Sequence, residues 1–140
     1  MQEFQMWISE YRGIGFKIIK SESHFCYYLY IDVDKHNLRK QLWLPRGKYS
    51  TPDRVSYDYT SNDLIGDLRL HGGCTFYAKH GGHNGKPRVV EIGCDYNHLY
   101  ERDTDYHLLE VENDAKDSID CFWSSLHRIH GKPEAQTESV

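Results

Sequence analysis

Residues 67–105 read DLRLHGGCTFYAKHGGHNGKPRVVEIGCDYNHLYERDTD, and the rest of the chain is organised around this stretch. Its β-branched and aromatic residues fall in two runs, residues 68–78 and residues 89–94, which Gly, Asn and Pro residues separate. That pattern is typical of two strands joined by a turn-rich loop. The Gly72-Gly73 pair interrupts the first run. We expect a β-bulge or a close approach to the backbone there, either of which would redirect His71.

Polar side chains that can bind a metal lie at the ends of these two predicted strands. Asp95, His98 and Glu101 follow the second strand at intervals of three residues, and His71 precedes the glycine pair. Zinc prefers four ligands drawn from Cys, His and carboxylates, so this set suits zinc. No zinc-finger or metalloprotease spacing is present, and other ligands stay open. The substitute ligands are Cys74, His80, His83 and Cys94.

The same residues also fit a hydrogen-bonded polar corner that contains no metal. In that interpretation Asp95 caps a turn and orients His98, while Glu101 pairs with Arg102 or Arg69. The spacing does not decide between the metal and the polar corner.

The segments before this stretch predict further strands. Residues 24–33, HFCYYLYIDV, are nearly all aromatic or β-branched, and with residues 16–20 they predict an antiparallel hairpin. Residues 2–12 fit a short strand or one helical turn. Residues 45–66 have loop composition without a clear period, and their tyrosines either fasten the loop to the sheet or form a contact surface.

The C-terminal part of the chain predicts one long helix. Leu108, Leu109 and Val111 indicate a last extended piece, and Asn113 or Asp114 then caps the helix. An apolar row follows at the helical period, and Gly131 with Pro133 ends it. The row is Ala115, Ile119, Phe122, Leu126 and Ile129. The predicted fold is therefore α+β: a mostly antiparallel sheet with one long C-terminal helix packed on it, in a single domain of residues 1–130 with a disordered tail at 131–140.

Composition restricts the classes of partner and compartment. The net charge of −4 disfavours direct, non-specific nucleic-acid binding and leaves open an acidic face that docks on a basic protein groove. Eleven Tyr and three Trp suit a protein interface. The four cysteines form no CxxC pair, and the N-terminus lacks the features of a secretion signal. We expect a cytoplasmic protein with reduced thiols and no membrane-spanning segment.

Two short motifs resemble a family of small phage and prophage proteins. They are LHGGCTF at residues 70–76 and IGCDYNHLYE at residues 92–101, followed by a C-terminal helix. The family core is His-Gly-Gly-x-Thr-aromatic, then Ile-Gly-aromatic-Asp-x-x-His-x-x-Asp. The matched polar positions are His71, Asp95, His98 and Glu101. The sequence departs from the family where Cys94 replaces an aromatic residue and Glu101 replaces an Asp.

The resemblance implies a function that the composition alone does not. Some small phage proteins of this kind are anti-CRISPR inhibitors, so it implies a zinc-containing inhibitor that binds the type II effector nuclease inside the host bacterial cell and is not an enzyme. A second hypothesis is a metal-dependent hydrolase, such as a phosphodiesterase or nuclease, that uses the same residues to activate water. A third is an interaction module without a metal.

Overall fold

A computed structural model describes residues 4–98 and 105–131. Eight elements follow one another in these residues. They are β1 (Gln5–Tyr11), β2 (Ile14–Lys20), β3 (Phe25–Asp32), α1 (Arg39–Leu42), α2 (Asp63–Asp67), β4 (Phe76–Gly81), β5 (Arg88–Asp95) and α3 (Leu108–His130).

The strands form one five-stranded sheet in the order β1-β2-β3-β5-β4. Every neighbouring pair is antiparallel. The hairpin that the sequence predicts from residues 16–20 and 24–33 is confirmed as β2 and β3, and residues 5–11 take the strand alternative. The α+β prediction is confirmed as well, since α3 packs on one face of this sheet.

The core lies between the sheet and α3 because residues alternate between the two faces of each strand. In β3, Phe25, Tyr27, Leu29 and Ile31 are buried, whereas the residues between them are only half-buried. The apolar row of α3 meets this face: Ala115, Ile119, Phe122 and Leu126 are buried. We call the side that α3 covers the core face and the other side the open face.

The start of α3 differs from the prediction, because residues 108–111 are the first turn of the helix and not an extended piece. The backbone N–H of His107 donates to Glu110 Oε1 at 3.0 Å. This contact satisfies a backbone donor at the N-terminus of a helix, where the first N–H groups have no helical partner. The prediction was wrong because a cap from Glu110 is as effective as one from Asn113 or Asp114. Gly131, with φ 77°, follows the last turn as expected.

Residues 68–71 were also predicted incorrectly, because they form a turn after α2 and not a strand. The Asn62 side chain accepts from the Ile65 N–H at 3.0 Å and caps α2, which the alternating apolar pattern concealed. Leu68 and Leu70 are buried beneath this turn. The Gly73 N–H donates to the Leu70 carbonyl at 2.8 Å, so the glycine pair is part of a turn and not of a β-bulge, the first of the two predicted alternatives.

The loop between α1 and α2 is fastened to the sheet through its tyrosines. Tyr57 and Tyr59 contact the ring of Tyr77 on β4, with ring centroids 4.9 and 6.4 Å away. Tyr77 Oη donates to the Leu42 carbonyl at 2.6 Å. Tyr49 is 79% exposed, so not all of the loop's tyrosines fasten it to the sheet.

Candidate functional site

His71 lies in the turn after α2, against the residue that follows β5. Its backbone N–H donates to Tyr27 Oη at 3.2 Å. Its ring stacks on Tyr96, with centroids 3.8 Å apart and planes at 14°, and Tyr106 meets it edge-on at 5.6 Å. Aromatic contacts of this kind have preferred geometries, so they hold the imidazole in one position.

His98 and Asp95 lie at the end of β5. Asp95 Oδ1 accepts from the Asn97 N–H at 3.0 Å and lies 3.9 Å from His98 Nε2. This is the turn cap that the metal-free alternative predicts for Asp95. The rings of His98 and His71 are 6.0 Å apart, centroid to centroid. The structure therefore brings three of the four predicted site residues together, and Glu101 lies outside the described residues.

Gly72 permits His98 to approach the backbone. Its φ is 68°, and a Cβ at this position would lie 2.1 Å from His98 Nε2. Only glycine combines this backbone conformation with the absence of a side chain. Of the two interpretations of the glycine pair, the close approach is the one found, with His98 as the approaching group.

Asp114 belongs to the same cluster, although the sequence pattern indicates only a helix cap. Tyr96 Oη donates to Asp114 Oδ2 at 2.6 Å, and His71 Nδ1 lies 3.9 Å from the same oxygen. Burial raises the pKa of Tyr96, and the hydrogen bond to the carboxylate raises it further. No local spacing in the sequence indicates this contact, because Tyr96 and Asp114 are 18 positions apart.

Ser118 and Tyr27 extend the polar contacts into the core. Tyr27 Oη and Ser118 Oγ are 2.8 Å apart, and both residues are buried. Burial raises the pKa of Tyr27. A buried hydroxyl is costly unless it is hydrogen-bonded, and Tyr27 meets this need by joining β3, α3 and the backbone of His71. The cluster thus ties three parts of the chain together.

The metal-ligand geometry is incomplete in the described part of the chain. Within residues 4–98 and 105–131, no group of three or more His, Cys, Asp or Glu side chains is arranged to hold a metal ion. The arrangement there is two histidines with separate carboxylates, Asp114 near His71 and Asp95 near His98. What this geometry provides is a polar corner that orients two imidazoles.

The four alternative metal ligands considered from the sequence are Cys74, His80, His83 and Cys94. Cys94 is 1% exposed on the core face, and burial raises its pKa to about 12, so a thiolate there is strongly disfavoured. Burial also raises the pKa of Cys74. His80 Nε2 lies 2.8 Å from Glu91 Oε1 on the open face, and His83 is exposed beyond β4. None of the four cysteines forms a disulfide in the structure.

The open face is a second candidate site, and it contains a buried acid. Glu91 is 7% exposed, and Tyr30 Oη donates to its Oε2 at 3.0 Å. Lys17 Nζ lies 3.4 Å from the same oxygen, and its ammonium is 4.9 Å from the centroid of Tyr28. Pairing of this kind is what makes a buried carboxylate tolerable. The centre of the open face is therefore an ordered surface of aromatic and paired charged groups.

Strand β1 forms a free edge beside this face. It pairs with β2 alone among the described strands. Met6 is 46% exposed and Ile8 75%, and strand alternation places both on the open face; Phe4, one residue before β1, is 60% exposed. Proteins usually protect such edges with Lys, Pro, a bulge or a covering segment. Strand β1 contains no Lys or Pro and one charged residue, Glu10, so most of the edge offers unpaired backbone groups beside an exposed apolar row.

Searches against protein-family models, curated proteins and solved structures gave no match. The fold and the two candidate sites therefore define the molecule only as an α+β protein with a polar corner and an uncovered sheet face. Among the described residues, no helix is long and apolar enough to cross a membrane.

Proposed function

We propose that this chain is a binding protein that captures a protein partner along the free edge and open face of its sheet. The observation that carries the proposal is the exposed apolar row Phe4, Met6 and Ile8 on an edge strand with unpaired backbone groups. An extended segment of a partner adds to such an edge by main-chain hydrogen bonds, and its alternate side chains contact the apolar row.

The open face continues this surface across the sheet. Phe76, on the opposite edge strand, is 39% exposed and meets Tyr28 edge-on at 5.3 Å. Tyrosine and phenylalanine are enriched in interfaces because they bring a large contact area at little entropic cost. A partner that pairs with β1 can therefore extend its contact over Tyr28 toward Phe76.

For the partner we propose the type II CRISPR effector nuclease of the host cell, which makes the chain an anti-CRISPR inhibitor that acts in the cytoplasm. The support for this step is the resemblance carried by residues 70–76 and 92–101. An inhibitor of this kind acts by binding its partner through a stable surface and needs no catalytic activity of its own. The hydrolase alternative would use the same His71, Asp95, His98 and Glu101 set, with one metal position left open for water.

An Ile8→Glu variant should bind the effector about tenfold or more weakly than the wild type, because a carboxylate would be buried against the partner in place of the most exposed apolar group of the row. Its melting temperature should change little, since Ile8 is exposed and such substitutions usually alter stability by about 0.5 kcal/mol or less. Affinity is measured by surface plasmon resonance against the guide-loaded effector.

Leu109→Glu is the matched control, because Leu109 is 65% exposed on the first turn of α3. This variant introduces the same charge on the same kind of residue at a different surface, and it should bind as the wild type does. Equal weakening by both variants would show that charge alone matters and would contradict the assignment to the edge.

Zinc is part of the same proposal. His71 and His98 would supply two imidazole ligands, Asp95 a carboxylate, and Glu101, outside the described residues, the fourth group. The support is the 6.0 Å separation of the two rings and the preference of zinc for such a set. A closed four-ligand site would stabilise the fold, because a metal that binds only the folded state adds its binding energy to stability.

The purified protein should contain about one zinc per chain if this site forms, since each structural site holds a single ion. A His71→Ala/His98→Ala variant should lose the metal and melt at a lower temperature, whereas His24→Ala/His83→Ala should retain both properties. Elemental analysis and thermal unfolding with and without chelator provide the measurement. If the wild-type protein contains no zinc and its melting temperature is the same with and without chelator, the zinc site is contradicted and the metal-free polar corner is supported.

A further inference from the structure

Positive and negative charges are segregated along this chain, although its net charge is only −4. Residues 35–54 contain six Lys or Arg side chains and one acid, and residues 79–88 contain three and none. These two short segments hold nine of the 17 basic residues. In contrast, α3 carries five acids and two basic residues. A mild net charge therefore conceals a strongly basic region.

The fold brings the two basic segments together around Trp43. Lys79 Nζ, from β4, lies 4.8 Å from the centroid of the Trp43 ring, and Arg88 Cζ, from β5, lies 5.8 Å from it. Lys79 also lies 5.3 Å from the centroid of Tyr57. Arg88 and Arg39 both contact Asp34, at 3.2 and 2.9 Å. We call the set Arg39, Arg46, Lys79 and Arg88, with Trp43 and Tyr57, the basic strip.

Part of this charge is not neutralised by the protein. Neither Arg46 nor Lys79 forms an ion pair with a carboxylate in the described part of the chain. Burial lowers the pKa of Lys79, and the positive charge of Arg46 lowers it further. Repulsion between two nearby positive charges lowers the stability of the fold. Destabilising arrangements of this kind are typical of binding sites.

We propose that the basic strip binds single-stranded nucleic acid, with its cations on the phosphates and its aromatic rings against the bases. Surfaces for single strands combine a positive track with aromatic side chains on which bases stack. Here Lys79 lies beside the rings of both Trp43 and Tyr57, and Arg88 lies beside Trp43, so cations and aromatic rings occur together. An acidic protein segment would use the cations but not the rings.

This site is separate from the edge proposed for the protein partner. The basic strip and the partner surface both reach β4, but they use its two faces: Lys79 is in register with the buried Val90 on the core side, whereas Phe76 is on the open face. Nucleic-acid binding and the inhibitory function can therefore be tested separately, because variants at one site do not alter the other site.

The test is fluorescence anisotropy with a labelled 20-nucleotide oligo(dT) and the equivalent oligo(U), across a range of salt concentrations. The wild type should bind both, with a Kd on the order of 10⁻⁴–10⁻⁶ M near physiological salt and more tightly at lower salt. Arg46→Gln/Lys79→Gln should weaken binding about tenfold or more at low salt. It should also reduce the slope of log K against log salt by about 0.7 for each lost phosphate contact.

Lys20→Gln/Lys116→Gln is the matched control, since it removes two positive charges outside the basic strip. It should bind as the wild type does. The Arg46→Gln/Lys79→Gln variant should be at least as stable as the wild type, because it relieves repulsion; a merely structural role would lower its melting temperature. Absence of binding at low salt, or equal weakening by both variants, would overturn the proposal. Equally effective competition by a poly-glutamate peptide would also overturn it, in favour of an acidic protein partner.

Discussion

A Phe122→Ala variant should lose about 3–5 kcal/mol of the free energy of unfolding, which is the usual cost of removing a buried phenylalanine and leaving a cavity. Phe122 is completely buried in α3, and the edge of its ring meets His36 at 5.2 Å. Small domains are stable by about 5–15 kcal/mol, so this loss removes a large part of the total. Urea unfolding measures it as a lower midpoint with an unchanged slope.

Leu109→Ala serves as the control for this prediction, since Leu109 lies on the same helix and is 65% exposed. It should change stability by about 0.5 kcal/mol or less. A loss below about 1 kcal/mol for Phe122→Ala would mean that α3 does not pack on the sheet through the predicted row, and it would contradict the fold itself.

Gly93→Ala should cost about 1–3 kcal/mol, because the new methyl group has no space in the middle of the sheet. A Cβ on Gly93 would lie 2.3 Å from Tyr28 Cδ1 and 2.9 Å from the Tyr27 carbonyl oxygen. Gly93 is in β5, directly opposite Tyr28 in β3. The ring of Tyr28 therefore lies across the glycine, and the substitution must displace the ring, the backbone or both. Thermal unfolding measures the change.

Two further variants isolate the cause. Gly15→Ala, in β2, should be nearly neutral, because a Cβ there meets only the Ser9 carbonyl oxygen at 3.9 Å. In a Tyr28→Ala background, Gly93→Ala should cost less than it does in the wild type, since the clash with the ring has gone. An equal cost in both backgrounds would locate the clash at the backbone and contradict the role given to Tyr28.

The fold was predictable where a single physical requirement dominated the sequence. Residues 24–33 are nearly all aromatic or β-branched, which predicts a strand that pairs with a neighbouring strand. The apolar residues from Ala115 to Leu126 recur at the helical period and at no other. The prediction failed at residues 68–71 and 108–111, where apolar residues sit at the ends of helices. In both places a cap decided the structure, from Asn62 and from Glu110. A cap depends on one hydrogen bond, which periodicity does not reveal.

The sequence predicted the residues of the candidate site better than the contacts that hold them in place. His71 and Asp95 both lie near His98, although His71 is in the turn after α2 and not at the end of a strand. Asp114 and Tyr96 were missed because their contact joins α3 to the end of β5, and no local spacing reports a contact across 18 positions. The basic strip was missed for a different reason, since the net charge adds the basic residues of 35–54 and 79–88 to the acids elsewhere in the chain.

The most direct test of the central claim is inhibition of DNA cleavage by a type II effector nuclease, titrated with the wild type, Ile8→Glu and Leu109→Glu. The proposed function predicts that the wild type and Leu109→Glu stop cleavage at equal concentrations, while Ile8→Glu requires about tenfold more protein. Uninhibited cleavage at a large excess of the folded wild type would contradict the claim that this chain is an inhibitor of the nuclease.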